Sequence, residues 1–246
     1  MRMNSPTGKK ILALVRQGDY AHPGEEAAVD LALRNFAPDP QRLILDVGCG
    51  RGGTAHYLQD RGWGRVTGFD IDADSIAYAQ AAYPEVKFLA CDIYKIAARL
   101  AGPFDLLCLF TTFYALPDQS AALRQLRSLA APQGVLVLFD YLDLSEDGNS
   151  LLIQEGEDAV WNPVKLKIIK PEFAAAGWHI SKLVDITQNF GDWYSGLVSR
   201  IEKREKQIVD LEGTAWYRFV HDFYGGMLAA IKRGSLGGVL VYAKAG

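Results

Sequence analysis

Beyond residue 40, short runs rich in Val, Ile, Leu and Phe alternate with segments of helical periodicity. The runs are Leu43–Val47, Arg65–Asp70, Val86–Ala90, Phe104–Phe110, Val135–Tyr141 and His179–Ile186. Each is nearly continuously apolar, as in strands covered by helices on both faces. Helices are predicted between them over Gly53–Arg61, Ser75–Ala82, Gln119–Ala131 and Pro171–Ala176, each opened or closed by Asp, Ser, Pro or Gly. Repeated strand–helix units predict an α/β fold around a mostly parallel sheet. A seventh run, Gly238–Ala243, follows a long segment instead of a short helix, so it is expected to return antiparallel.

Two stretches break this rhythm, 142–170 and 187–237, and both are long for connections in a compact domain. They are read as cap or lid elements. The second holds Phe190, Trp193, Tyr194, Trp216, Tyr217, Phe219, Phe223 and Tyr224, with the charged helical piece RIEKREKQIVDLE in its middle. Its aromatic residues either pack a helical hairpin against the sheet or wall a pocket over the sheet's carboxyl edge, where open α/β sheets bind ligands. The predicted organisation is one domain over 1–246, with 36–141, 171–186 and 238–246 as its core. Segments 1–35, 142–170 and 187–237 supply the N-terminal and cap elements.

Composition narrows the function. At 246 residues and 49% apolar the chain can bury one sizeable core. Its 26 basic and 29 acidic side chains give a net charge of −3, which disfavours nucleic acid and anionic membranes as partners. Three scattered cysteines, Cys49, Cys91 and Cys108, form neither a disulfide framework nor a metal set and fit a reducing cytoplasm. No apolar run approaches a bilayer span, and no export signal is read at the N-terminus. The expected partner is a small-molecule substrate, and the expected state a monomer or homodimer.

The chemistry is concentrated after the first strand, in Leu45-Asp46-Val47-Gly48-Cys49-Gly50-Arg51-Gly52-Gly53. Gly48, Gly50 and Gly53 also satisfy the dinucleotide pattern G-x-G-x-x-G, so the glycines alone do not choose a ligand. Asp46 precedes the first glycine by two positions, where a carboxylate repels a pyrophosphate and attracts an ammonium. Asp70, at the end of the second strand, is placed to accept from ribose hydroxyls. Asp92, after the third, is placed to accept from an exocyclic amine such as adenine N6, with Ile71 and Ile93 as apolar plates.

At this point the chain resembles the class I S-adenosylmethionine-dependent methyltransferases, a Rossmann-like fold with a seven-stranded sheet. The resemblance rests on LDVGCGRGG, VTGFDID, FLACDI, FDLLCLF and LAAPQGVLVLFD, in that order, across roughly 36–186 and the final strand. It implies S-adenosylmethionine as cofactor, with Asp46, Gly48, Cys49 and Gly50 at the methionine part, Asp70 and Ile71 at the ribose and base, and Asp92 and Ile93 at the adenine. Leu109 and Phe110 are implied beside the cofactor. Cys49 is read as a small packing residue, not a nucleophile.

Shorter patches, GDYAHPGEEAAV, Asp140-Tyr141, DWYSGL and IKRGSLGGVLVYAKA, resemble the phosphoethanolamine and small-amine N-methyltransferase branch. They imply Tyr20, Asp140 and Tyr141 as catalytic residues, and Tyr114, Trp193, Tyr194, Lys232 and Arg233 as substrate-binding ones. That branch pairs its tyrosine with a histidine a few residues beyond the fifth strand. Here Leu142-Asp143-Leu144 follows instead, so the dyad is incomplete. His22 is read either as a proton relay beside Tyr20 or as a surface histidine. The expected activity is methyl transfer to a small acceptor at an amine nitrogen, with no metal. The alternatives are nucleic-acid, O- or C-methyl transfer on the same fold, an NAD-dependent oxidoreductase, or a non-catalytic cofactor-binding protein.

Overall fold

Seven strands form one sheet in the order β3-β2-β1-β4-β5-β7-β6. They are β1 (Leu43–Val47), β2 (Arg65–Asp70), β3 (Lys87–Ala90), β4 (Phe104–Phe110), β5 (Ala130–Asp143), β6 (Trp178–Asp185) and β7 (Leu236–Ala245). The computed structural model describes residues 1–146 and 160–246. Strands β1, β2 and β4 have the bounds expected from the apolar runs. β5 is longer at both ends than expected: Ala130 pairs with Phe104 of β4 at its start, and β7 runs antiparallel along it as far as the pair Asp143–Leu236 at its end. β6 also pairs antiparallel with β7, so β7 is the strand that reverses direction between two others.

The near-continuous apolar strands have the expected consequence: successive side chains feed opposite faces, and both faces are buried. On one face Ile44, Leu106, Cys108, Val137 and Leu240 join the N-terminal helices and the long helices of the second half. On the other, Leu45, Leu107, Leu136 and Val241 meet Leu123, Phe173 and Trp178. The second face is covered by α5 (Gln119–Leu129) and α6 (Ile169–Ala175). The first carries α1 (Pro6–Arg16), α2 (Glu25–Leu33), α3 (Gly53–Asp60) and α4 (Ala73–Ala82).

Segment 187–237 folds as three helices, α7 (Thr187–Lys203), α8 (Glu205–Glu212) and α9 (Thr214–Lys232). The charged piece expected in its middle is interrupted at Arg204, between α7 and α8. Several of its aromatic residues are core: Phe190, Tyr194 and Tyr224 are buried, whereas Trp216, Phe219 and Phe223 are half-buried. In segment 142–170, Val164 bridges Leu142 beside β5, and residues 147–159 of that expected cap lie outside the described residues.

The parallel strands end along one edge. β1 lies between β2 and β4, so the chain winds away in both directions from the β1–β4 boundary. A switch of this kind opens a crevice beyond the strand ends. Asp46 sits at it, opposite Gly68 of β2 and Cys108 of β4.

Candidate active site

The loop from β1 to α3 is shaped by its glycines. Gly48 has φ +70°, and a Cβ there would lie 2.4 Å from the Thr112 side chain. Gly50 has φ +53°, and a Cβ there would point into open space. The first glycine therefore serves a close approach within the protein, and the second keeps the ligand side of the loop clear. The Gly50 N–H donates to Asp70 Oδ2 at 2.8 Å and the Asp72 N–H to Asp70 Oδ1 at 2.9 Å. Asp70 thereby fixes the loop while its carboxylate keeps lone pairs for further donors.

Asp46 is 2% exposed and its Oδ2 has no hydrogen-bond partner. Burial, and then the charge of Asp70, raises its pKa to about 7. An orphaned, buried carboxylate oxygen at a glycine loop fits a ligand that brings an ammonium group. Asp92 caps the turn after β3, with the Tyr94 N–H on its Oδ1 at 3.0 Å. Beside it Ile71 is 73% exposed, and together they line an open cavity of about 440 Å³ with Ala90, Cys91 and Lys95. A large aliphatic face left in solvent next to a carboxylate suits a flat base with an exocyclic amine. These residues fit S-adenosylmethionine: Asp46 for its ammonium, Asp70 for its ribose hydroxyls, and Asp92 with Ile71 for its adenine.

Other expected positions fall differently. Ile93 is buried among core residues, so Ile71 alone presents an exposed plate. Leu109 is fully buried on the α5 face of the sheet, which leaves its backbone alone to border the site. Phe110 points to the opposite face and packs on His22, with ring centroids 4.8 Å apart. Cys49 is buried, and burial raises its pKa well above the ordinary thiol value, consistent with packing.

The N-terminal segment closes over the glycine loop. Asp19 accepts from Tyr83 Oη at 2.8 Å and Tyr78 Oη at 3.1 Å and lies 3.5 Å from Arg51. Tyr20 is half-buried, 3.5 Å from Glu26, and burial followed by that carboxylate raises its pKa. It is a hydrogen-bond donor at neutral pH, not a base. His22 is not a surface residue: it is 1% exposed, its Nε2 is 2.9 Å from Thr54 Oγ1, and burial pushes its pKa down to about 3. It is therefore a neutral bridge between the N-terminal segment and the first turn of α3.

At the ends of β4 and β5, Asp140 is fully buried and accepts from the N–H groups of Tyr141 at 2.7 Å, Phe113 at 2.8 Å and Tyr114 at 3.4 Å. Burial raises its pKa to about 7 against those hydrogen bonds. Both carboxylate oxygens are engaged, so Asp140 holds the Phe113–Tyr114 turn in place. Tyr141 Oη pairs with Tyr194 Oη at 2.5 Å. The rings of Tyr114, Tyr141 and Trp161 meet mutually at 4.9–5.2 Å, and Trp193 lies 5.9 Å from Phe139. Lys232, at the end of α9, and Arg233, in the turn before β7, are exposed.

Three residues not expected from the sequence also converge here. Arg16 of α1 donates through one terminal nitrogen to the His22 carbonyl and, at 2.9 Å, to Glu25 Oε1. Arg200 of α7 donates to the same Glu25 oxygen at 2.9 Å. The signal for Arg16 was present, since it follows Ile11, Leu12 and Val15 on the apolar face of α1. No comparable cue marks Arg200, which stands among charged residues.

Residues 20–187 match the family model described as "Methyltransferase domain". The chain is 27% identical over 176 residues to the trans-aconitate 2-methyltransferase of Azoarcus sp. (strain BH72), covering 71% of this chain and 68% of that protein. It is 35% identical over 122 residues to the protein of the same name from Escherichia fergusonii, of which the match spans 45%. Among solved structures, phosphoethanolamine N-methyltransferase 2 of Haemonchus contortus superposes with a TM-score of 0.85 at 17% identity, over 99% of this chain and 58% of that one. The cyclopropane synthase MmaA2 of Mycobacterium tuberculosis superposes with a TM-score of 0.77 at 14% identity, over 89% and 83%. The family model covers more than half of the chain, and the chain belongs to the methyltransferase-domain family of S-adenosylmethionine-dependent enzymes, on a seven-stranded Rossmann-like sheet.

Proposed function

We propose that this protein methylates a small-molecule acceptor at an amine nitrogen. When bound, S-adenosylmethionine supplies an electrophilic methyl group on a sulfonium that leaves as a neutral thioether. The observation that carries the reading is the unpartnered Oδ2 of Asp46 at the β1–β4 switch point, next to the loop that Asp70 fixes. Asp46, Gly48 and Gly50 hold the amino-acid end of the cofactor, Asp70 its ribose, and Asp92 with Ile71 its base.

The acceptor lies against the aromatic residues beyond β4 and β5. Tyr114, Tyr141 and Trp161 supply π-faces suited to an ammonium group or its methylated product. Positioning supplies most of the catalysis, because methyl transfer needs an in-line lone pair and exclusion of water more than proton transfer. The amine reacts in its neutral form. Tyr20, Tyr141 and Tyr194 all have raised pKa values from burial, so they orient it as hydrogen-bond donors. Asp140 acts one step back, as the positioning residue for Tyr114.

Methyl transfer to a carboxylate oxygen is the second reading, favoured by the matches to proteins named trans-aconitate 2-methyltransferase. A screen with radiolabelled methyl donor over glycine, sarcosine, ethanolamine phosphate, trans-aconitate and small phenols tests both. Alkali-stable label on an amine acceptor marks nitrogen, alkali-stable label on a phenol marks an ether oxygen or carbon, and label released as methanol marks an ester. A screen that yields only alkali-labile product contradicts the amine assignment. The three free cysteines also support a reducing, cytoplasmic setting, and no helix of the described residues is long and apolar enough to cross a membrane.

A further inference from the structure

We infer that the Arg16–Glu25–Arg200 cluster is the receptor for an acidic group, a carboxylate or a phosphate monoester, on the methyl acceptor. The inference rests on the small-molecule methyl-transfer reading and names the class of substrate that reading leaves open.

Arg16 is 6% exposed, and its Nε is buried without a hydrogen-bond partner. The Nε of Arg200 is likewise buried without one. Both guanidiniums reach the same oxygen of one carboxylate, Glu25 Oε1, each at 2.9 Å. Two cations thus share one anion. A buried guanidinium with an unused donor is costly unless a further anion completes it, and the planar fork of donors matches the oxygens of a carboxylate or phosphate.

The surroundings add neutral donors. Tyr141 and Tyr194 pair through their hydroxyls at 2.5 Å, and Tyr224 packs against the Tyr194 ring. All three tyrosines lie close enough to Arg16 to interact with its charge. Glu25 itself is held with φ +45°, a left-handed conformation unusual outside glycine, at the first residue of α2. Strain of that kind persists where the surroundings over-determine it. Here the two arginines, from helices far apart in sequence, fix the side chain between them.

Position links the cluster to the reaction. The His22 carbonyl accepts from Arg16, while the His22 ring touches Thr54 in the first turn of α3 and Phe110 at the end of β4. His22 alone therefore separates Arg16 from the first turn of α3, which the glycine loop enters. That proximity puts an acidic group held at Arg16 on the same side of the sheet as Thr54 and Phe110, which border the donor's loop. The exposed Lys232 and Arg233 offer no such enclosure.

The test is calorimetric titration of the full chain at low ionic strength with inorganic phosphate and, separately, succinate, each with and without S-adenosylhomocysteine. Wild type is compared with Arg16→Gln and Arg200→Gln, whose folding is judged by unchanged S-adenosylhomocysteine affinity. We expect at least one anion to bind wild type and to bind either variant about tenfold or more weakly, as for loss of a charged hydrogen bond. The tighter of phosphate and succinate names the acidic group. Failure of both anions to bind wild type, or equal affinity in a folded Arg200→Gln protein, overturns the inference. If Arg16→Gln does not fold, Arg200→Gln alone decides. Absence of S-adenosylhomocysteine binding would instead strike the methyl-transfer reading, which the anion titrations without it leave separate.

Discussion

Replacing Asp46 by Asn is expected to stabilise the ligand-free protein at pH 8 and to weaken binding of S-adenosylhomocysteine. The carboxyl is 2% exposed with an unpartnered Oδ2, and burial, then Asp70, raises its pKa from 3.8 to about 7. Between those values the folded protein holds a proton that the unfolded chain has lost. Stability from this group therefore falls as pH rises from 3.8 to about 7 and is level above that. The gap corresponds to at most about 4 kcal/mol. The Asn variant recovers that amount less about 1–3 kcal/mol for its unpaired amide N–H, a net gain of at most about 1–3 kcal/mol. Binding moves the other way. An ammonium group needs the carboxylate, so its loss costs about 1.5–3 kcal/mol, or roughly ten- to 150-fold in Kd. Below pH 7 wild-type binding releases a proton, and the variant's does not. Denaturant unfolding at pH 5 and pH 8, with calorimetry at pH 6 in two buffers of different protonation enthalpy, reads all of these quantities. Unchanged affinity in the Asn variant, or no proton release by wild type at pH 6, refutes the reasoning.

Gly48→Ala should abolish measurable cofactor binding and lower the thermal midpoint, because it combines φ +70° with a Cβ 2.4 Å from Thr112. A calorimetric Kd within twofold of wild type would contradict this. Tyr141→Phe leaves the Tyr194 hydroxyl without its 2.5 Å partner in a buried site, so denaturation should show a loss of about 1–3 kcal/mol. Tyr20→Phe removes only a hydroxyl at the half-buried lid over the glycine loop, and should lower turnover while S-adenosylhomocysteine affinity stays unchanged. Steady-state kinetics beside calorimetry checks that split.

The sheet was legible because its central strands are buried on both faces: continuous apolar runs such as Phe104–Phe110 have no competing reading as amphipathic helices. The cofactor end was legible for a related reason, since glycines and carboxylates at strand ends keep a fixed spacing along the chain. The proposed anion receptor was not. Arg16, Glu25 and Arg200 lie on three separate helices, and only their packing brings them within hydrogen-bond distance. Asp140 entered through the branch resemblance, which carries no record of its surroundings: it is fully buried and accepts from three backbone N–H groups, which fits a positioning role. Likewise His22 resembled a surface residue beside Pro23, because sequence carries no record of the Thr54 hydroxyl and Phe110 ring that enclose it.

The most direct test of the central claim is titration of the purified protein with S-adenosylhomocysteine, with NAD as the control ligand. The carboxylates of Asp46, Asp70 and Asp92 predict saturable binding of S-adenosylhomocysteine and none of NAD, whose pyrophosphate meets the buried Asp46. Binding of NAD in preference would contradict the assignment of the glycine loop and of all three carboxylates.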